Sequence, residues 1–499
     1  MDGVCVPALL GATAAAFLAE PHRNLIGETW RDAREGQTLP VIDPGTGGVL
    51  TAIPSSDASD VDDAVAAARQ ALEAGPWSRM TASDRGRLIN RLAGLLGDHA
   101  EELAQIESLD TGRPIFECRI VDLPGSVAML EYMAGWASKI NGETMQLGVP
   151  GELHAYTTRE PVGVVAVIVP WNYPLELAVW RTAPALAAGC TVVIKPAEQT
   201  SLSALRLGQF VQEAGFPPGV VNIVVGLGET VGAALASHPG VDAISFTGST
   251  ETGKAVLQAA AGNLKRVFLE LGGKSPAIVL ADADLDLAIP GVAGSIFFSS
   301  GQVCTAGSRL LVDERIFDRV VEGVAKIAAG LKIGHGLDST TQLGPLVSDV
   351  QLGRVMGYLE GGRRDGAQFV TGGTRVGEAG YFVGATVVTQ TTPAMPIYAE
   401  EVFGPVLCAI PFKAGDLDAA VAAANDTVYG LHASIWTQNL KHAHQMAARI
   451  KSGNVCINTH NFFDPAFPMG GYKQSGWGRA SGFAAIEHYT ELKGIVARL

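Results

Sequence analysis

The chain has 499 residues, 47% of them hydrophobic and 17% charged, with a formal net charge of −14. That length exceeds one ordinary hydrophobic core and predicts two or three domains, with enough apolar material to fill them. The acidic balance argues against nucleic acid or an anionic membrane as the main partner and leaves a small soluble ligand as the expectation.

The N-terminal run VCVPALLGATAAAFLA, residues 4–19, has the hydropathy of a leader or an anchor. Asp2 stands where a leader carries positive charge, and Pro7 and Gly11 interrupt the run, so export is not expected. No other apolar stretch approaches the about 20 residues of a membrane helix, which makes the cytoplasm the expected location. VDDAVAAARQALEAG and SDRGRLINRLAGLLGDHAEELAQIESLDTG then show helical spacing, with their acidic and basic residues assigned to outer faces. Amphipathic helices packed on a core account for them. Between Asn141 and Pro161, NGETMQLGVPGELHAYTTREP mixes turn residues with strand-like pairs.

From Val162 the pattern becomes regular: VGVVAVIV, TVVIKP, VVNIVVG, DAISFTG and RVFLELGG are β-branched runs separated by LELAVWRTAPALAAG, SLSALRLGQFVQEAG and similar helical segments. Such alternation predicts a doubly wound parallel sheet covered on both faces, with ligands at the carboxyl ends of its strands. A second α/β series starts at Pro276, with PAIVLADAD, SRLLVDERIFDRVVEGVAKIAAGL and EVFGPVLCAIPF. Short glycine clusters, Gly361-Gly362 and Gly372-Gly373, are the only linker-like features, and the tail HYTELKGIVARL is again strand-like. The expected fold class is therefore α/β, with two doubly wound domains and a small β hairpin that pairs or covers an exposed edge. The expected division is 1–138 with 162–272 for the dinucleotide domain, 273–470 for the catalytic domain, and 139–161 with 484–499 for oligomerisation.

Cys5, Cys118, Cys190, Cys304, Cys408 and Cys456 are far apart and form no C-x-x-C pair. They read as reduced thiols, with neither a disulfide frame nor a metal site expected. His442 and His444 fall on different faces of a helix and read as surface residues.

FTGSTETGKAV, Phe246–Val256, approaches the phosphate loop of a nucleoside triphosphatase, but Ala255 replaces the hydroxyl that would ligate Mg²⁺. The loop ends a strand and opens a helix, where backbone amides attract a pyrophosphate. SSGQVCTAGSR sets Cys304 among small residues, LELGGKSP puts Glu270 at one strand end, and PWNYP puts Asn172 at another. Strand ends of one sheet converge on one crevice, so a thiol, a carboxylate and an amide can meet there. Together they suit a carbonyl: the thiolate attacks, the amide stabilises the oxyanion, and the carboxylate activates water. With a cofactor phosphate site nearby, the expected departing group is hydride.

PWNYP, KPAEQT, FTGSTETG, LELGGKSP, GQVCTAGSR, EEVFGPV, NDTVYGL and PMGGYKQSGWGR occur in one chain in this order. With them, the chain from about Arg23 onward resembles the NAD(P)-dependent aldehyde dehydrogenases, of the hydrolytic type. The resemblance implies that Cys304 forms a thiohemiacetal and then a thioester, that Asn172 and the Cys304 N–H hold the oxyanion, and that Glu270 activates water. It places Lys195 and Glu198 at the adenosine ribose, Ser249 at the pyrophosphate, Glu401 at the nicotinamide ribose, and Phe403 and Trp171 beside the cofactor. Gly228, Phe246, Gly248 and Leu271 are assigned to the same site. Lys254 is implied to be a helix residue without a triphosphatase role.

NAD⁺ is expected over NADP⁺ because the Glu198 carboxylate, with Glu229 near the adenosine, opposes a 2′-phosphate, although Lys195 can accommodate one. Tyr173, Leu177, Trp180, Phe298 and Phe463 imply an aromatic or aryl-alkyl aldehyde as substrate. Betaine aldehyde or an ω-aminoaldehyde is the alternative, which Glu176 and Asp464 would favour if they faced the entrance rather than solvent. A non-redox thiol hydrolase or acyltransferase is the rival from another class, and it leaves Lys195 and Glu198 without a purpose. A homodimer or homotetramer is implied. Arg181 and Ala480 stand where many relatives carry Lys and Glu. Neither can relay a proton, so Glu270 is expected to exchange its proton through water while Arg181 donates to a backbone carbonyl.

Overall fold

The structure is a computed structural model that describes residues 9–499. Asp2, Cys5 and Pro7 lie outside the described residues. The end of the N-terminal apolar run forms a helix, Ala12–Ala19, whose Phe17 and Leu18 are buried in the largest core cluster. Among the described residues no helix is long and apolar enough to cross a membrane.

One sheet has eight strands in the order Gly476–Trp477, Arg266–Glu270, Ala243–Thr247, Val164–Ile168, Thr191–Lys195, Val221–Ile223, Asn24–Ile26 and Thr29–Arg31. Its five central strands are parallel and are the five β-branched runs of the sequence. Three of them, 164–168, 191–195 and 243–247, are buried at every position, as strands covered on both faces must be. Both edges are antiparallel: Asn24–Ile26 pairs with Val221–Ile223, and Gly476–Trp477 pairs with Leu269 and Glu270. Neither edge was expected from the sequence, because both strands are short.

A second sheet runs Gln368–Thr371, Thr386–Thr389, Val406–Phe412, Arg309–Asp313, Pro276–Val279, His432–Trp436 and Asn454–Ile457, parallel except for its first pair. Gly361-Gly362 is no linker. It lies inside the helix Asp349–Arg364, where a Cβ on Gly362 would stand 3.0 Å from Ile397 Cδ1. A third sheet is wholly antiparallel. Leu153–Pro161 pairs along its length with Thr490–Arg498 and, at its other edge, with Thr144–Met145. It is thus three strands rather than a simple hairpin.

The helices before Val162 differ from the amphipathic reading in one respect. The predicted second stretch breaks at His99 into Ala82–Asp98 and Ala100–Thr111, and the latter is buried on nearly every face. Glu107 and Asp110 are fully buried, not outward. Glu107 Oε1 accepts from Leu175 N at the start of the helix Pro174–Ala188 (3.1 Å), and Asp110 Oδ2 accepts from Leu202 N at the start of Leu202–Glu213 (3.2 Å). Each carboxyl therefore caps a helix whose preceding loop faces the site described next.

Candidate active site

Strand ends deliver most of the site. Glu270 closes Arg266–Glu270, Lys195 closes Thr191–Lys195, and Trp171-Asn172 follows Val164–Ile168 before the next helix. One continuous cavity of about 930 Å³ is lined by Asn172, Glu270 and Cys304 together. The same cavity is lined by Trp171, Lys195, Glu198, Phe246, Gly248, Ser249, Leu271, Glu401 and Phe403, and by Tyr173, Leu177, Trp180, Phe298 and Phe463. Gly228 is not among its lining residues; it begins a helical turn, Gly228–Gly232, exposed over its first three residues and buried at Val231 and Gly232, the last of which approaches the Lys195 chain.

Cys304 lies in the loop after the short turn Phe298–Gly301, in which Ser299 and Ser300 have φ of 50° and 54°. Left-handed backbone costs a residue with a Cβ about 1–2 kcal/mol, so this approach to the thiol is held against strain. Burial pushes the Cys304 thiol up to about 12, with Glu270 and Glu401 adding to the shift and Arg181 opposing it. The resting group at Cys304 is therefore the thiol, and forming a thiolate there requires a base or a positive charge close by.

Glu270 is buried, and neither carboxylate oxygen has a hydrogen-bond partner among the described residues. Burial raises it to about 7, against the pull of Arg181 and Arg479. A carboxyl with that value gives and takes protons near neutrality. Asn172 Nδ2 donates to Gln302 O at 2.9 Å, which fixes the amide and leaves its second N–H for a ligand.

At the loop Phe246–Val256, Ser249 caps the helix Thr250–Ala259 by accepting from Thr252 N at 3.1 Å. Lys254 Nζ donates to Gln474 Oε1 at 2.9 Å, and Lys254 is not among the residues lining the cavity. Lys195 Nζ donates to Pro196 O at 2.9 Å and sits 3.4 Å from Glu198 Oε2. Glu401 Oε1 accepts from Gly273 N at 2.8 Å, and a side chain on Gly272 would collide with its carboxylate. Burial raises Glu401 to about 7. Phe403 holds φ at 58° and meets Trp171 edge-on, with ring centroids 5.2 Å apart.

Two expectations are corrected. Arg181 is buried and lines the cavity, but its Nε has no partner among the described residues, so the anchoring to a backbone carbonyl is not formed there. The side chain belongs to a buried helix and lies near enough to Glu270 for its charge to pull that carboxyl down. Glu176 is not solvated: it is 9% exposed, lines the cavity, and is raised well above the ordinary carboxylate range by burial and by Asp122. The space it needs comes from Gly125, whose absent side chain leaves room for the carboxyl. Asp464 is exposed and accepts from Ala466 N.

Val121, Met469, Asn461 and His460 also line the cavity and were not expected. His460 reaches Thr305 O at 2.9 Å and Ser434 Oγ at 2.8 Å, which ties the residue after Cys304 to the second sheet. His460 and Asn461 share one signal, the segment NTHNFF, which follows the strand Asn454–Ile457 as PWNYP follows its own strand; Val121 and Met469 carry none.

Residues 30–495 match the aldehyde dehydrogenase family. A phenylacetaldehyde dehydrogenase of Pseudomonas fluorescens is 47% identical over 482 residues, covering 95% of this chain and 96% of that one. Among solved structures, an aldehyde dehydrogenase of Bacillus cereus in complex with NAD⁺ superposes with a TM-score of 0.96 at 45% identity, covering 98% and 99% of the two chains. A betaine aldehyde dehydrogenase of Staphylococcus aureus in complex with NAD⁺ superposes at 0.95 with 36% identity, covering 97% of each.

Proposed function

The chain belongs to the aldehyde dehydrogenase family, and from that premise we propose that it oxidises an aromatic or aryl-alkyl aldehyde to the carboxylic acid, with NAD⁺ preferred over NADP⁺. It is an aldehyde dehydrogenase that uses a nicotinamide dinucleotide. The observation that carries the finer reading is a cavity joining Cys304, Glu270 and Asn172 to the rings of Tyr173, Trp180, Phe298 and Phe463. Trp180 and Phe463 meet edge-on with centroids 6.3 Å apart, the kind of aromatic wall that buries a flat ring.

The residues fit a bound dinucleotide. Lys195 uses two contacts and keeps a third N–H, Thr247 Oγ1 is buried without a partner, and a helix N-terminus opens on the cavity at Ser249. Bound NAD⁺ supplies the hydride acceptor. Cys304 Sγ bonds to the aldehyde carbon as its proton leaves, and the oxyanion takes hydrogen bonds from Asn172 Nδ2 and the Cys304 N–H. Loss of hydride leaves a thioester on Cys304. Glu270 removes a proton from water, the resulting attack breaks the C–S bond, and the acid departs as the thiol is restored.

A second reading, an aldehyde bearing a distal ammonium, draws on Glu176, an unpaired carboxyl in the same wall, and on the similarity to a betaine aldehyde dehydrogenase. It is the weaker one, because burial, with Asp122 nearby, raises the Glu176 carboxyl well above the ordinary range and so disfavours the charged form that would attract a cation. A panel of aldehydes compared by kcat/KM decides: aryl-alkyl members rank highest on our reading, and a preference for ammonium-bearing members reverses it. NADH formation itself separates both from a thiol hydrolase.

A further inference from the structure

Arg113 is 1% exposed and lies outside every stretch that carries the chemistry. Its Nε donates to Ser299 Oγ at 3.0 Å and its Nη1 to Asp122 Oδ1 at 2.7 Å and to Asn172 O at 3.4 Å. The guanidinium also stacks 3.9 Å from the centre of the Tyr173 ring. Ser299 is saturated in turn. Its N and Oγ donate to Glu117, and its Oγ accepts from Arg113 and from the Tyr173 hydroxyl at 2.9 Å.

The bonds close a ring. Gln302 N donates to Ser299 O at 3.0 Å, Asn172 Nδ2 donates to Gln302 O at 2.9 Å, and Arg113 bridges Asn172 O back to Ser299 Oγ. On one side of the ring is the loop carrying the Asn172 amide. On the other is the left-handed pair Ser299-Ser300 that leads to Cys304. The planar guanidinium, with donors fixed in a fork, suits a spacer between two acceptors, which a single ammonium point does not.

We propose that Arg113 is a positioning residue for the reaction, setting the distance between the Asn172 amide and the Cys304 thiol by tying both loops into one hydrogen-bond ring. The inference rests on Cys304 and Asn172 carrying the chemistry. Misplacement of reacting groups by about 1 Å costs up to about a hundredfold in rate, so loss of the ring should be visible in the acylation step alone.

The test uses the NAD⁺-saturated enzyme and compares Arg113→Met, Ser299→Ala and the double variant in single turnover, where NADH appearance reports attack and hydride loss. Each single change is expected to slow that step about tenfold or more, with aldehyde KM and NADH affinity within about threefold of the parent. The double variant should lose little more than the worse single, because both residues belong to one ring. Single-turnover rates within about twofold of the parent in Ser299→Ala overturn the proposal, as do losses that multiply in the double variant, or NADH affinity falling in step with rate. Should Arg113→Met fail to fold, Ser299→Ala decides alone, since it removes a hydroxyl and strands no new charge. Cys304→Ala distinguishes the two levels: activity retained there refutes the nucleophile, whereas activity lost there with normal rates in Ser299→Ala refutes only Arg113.

Discussion

Arg181 and Glu270 line one cavity, both buried, with Arg181 Nε and both Glu270 oxygens lacking hydrogen-bond partners among the described residues. The cation lowers a carboxyl that burial has raised to about 7. In the proposed mechanism Glu270 acts as a base only when ionised, so thioester hydrolysis should rise with pH through a midpoint at about 7 and level off above it. Arg181→Met removes a cation that favours the charged form, so the midpoint moves upward by about one unit. Arg181→Lys keeps the charge and should hold kcat within about tenfold, a barrier change of about 1.4 kcal/mol or less. A kcat profile across neutral pH checks both, and loss of several orders of magnitude in a folded, NAD⁺-binding Arg181→Lys would assign the guanidinium a specific catalytic task.

Glu270→Gln should form the thioester and then stall. Rapid mixing is expected to give a burst of about one NADH per active site followed by slow turnover, because the amide cannot take a proton from water. Steady-state activity equal to the parent would mean that another base releases the acid.

Glu176→Leu should sharpen preference for apolar rings. The change replaces a buried unpaired carboxyl with hydrocarbon against Leu177 and Trp180, so kcat/KM for an unsubstituted aryl-alkyl aldehyde should rise severalfold relative to an ω-aminoaldehyde, about 1 kcal/mol in discrimination. An unchanged ratio would remove Glu176 from the specificity-determining wall.

Glu198→Gln should narrow the preference for NAD⁺. Removing one negative charge from the ribose site favours a 2′-phosphate, and a shift of about tenfold in the ratio of kcat/KM values corresponds to about 1.4 kcal/mol. If the parent enzyme already uses NADP⁺ as well as NAD⁺, the assignment of Glu198 as the discriminating charge fails.

The three-stranded sheet exposes Met145, Leu492 and Val496, and the connection between its first two strands exposes Leu147 and Val149, apolar side chains consistent with docking of a second copy. Light scattering at micromolar concentration should give a dimer or tetramer. Leu492→Lys with Val496→Lys should shift the population toward monomer, and a monodisperse monomer in the parent chain contradicts this role.

The five parallel strands of the first sheet were readable because doubly buried strands require unbroken β-branched runs, and Asn172 and Glu270 were readable because each sits where such a run ends. Arg113, Glu107 and Asp110 were not. Helical spacing in AEELAQIESLDT reports which residues share a face, but not that a second layer covers the face bearing the charges. Arg181 illustrates another limit: its residue type speaks against a proton relay, while the expected carbonyl partner depended on loop positions that no local pattern encodes. Gly476–Trp477 was missed for its brevity, since two residues cannot display a period.

That short strand sets a condition on biosynthesis. Gly476–Trp477 forms the edge of the sheet containing Glu270, and Leu271 N donates to Ser475 O at 3.0 Å. Thr490–Arg498 then covers Leu153–Pro161, more than three hundred residues earlier in the chain. A nascent chain that has already exposed Cys304 outside the ribosome still lacks the strand that completes the Glu270 sheet, so that edge of the cavity stays unassembled until residues 476–477 have emerged as well. Pairings of such long sequence separation are intrinsically slow to form, and strands left open in that interval are exposed to aggregation.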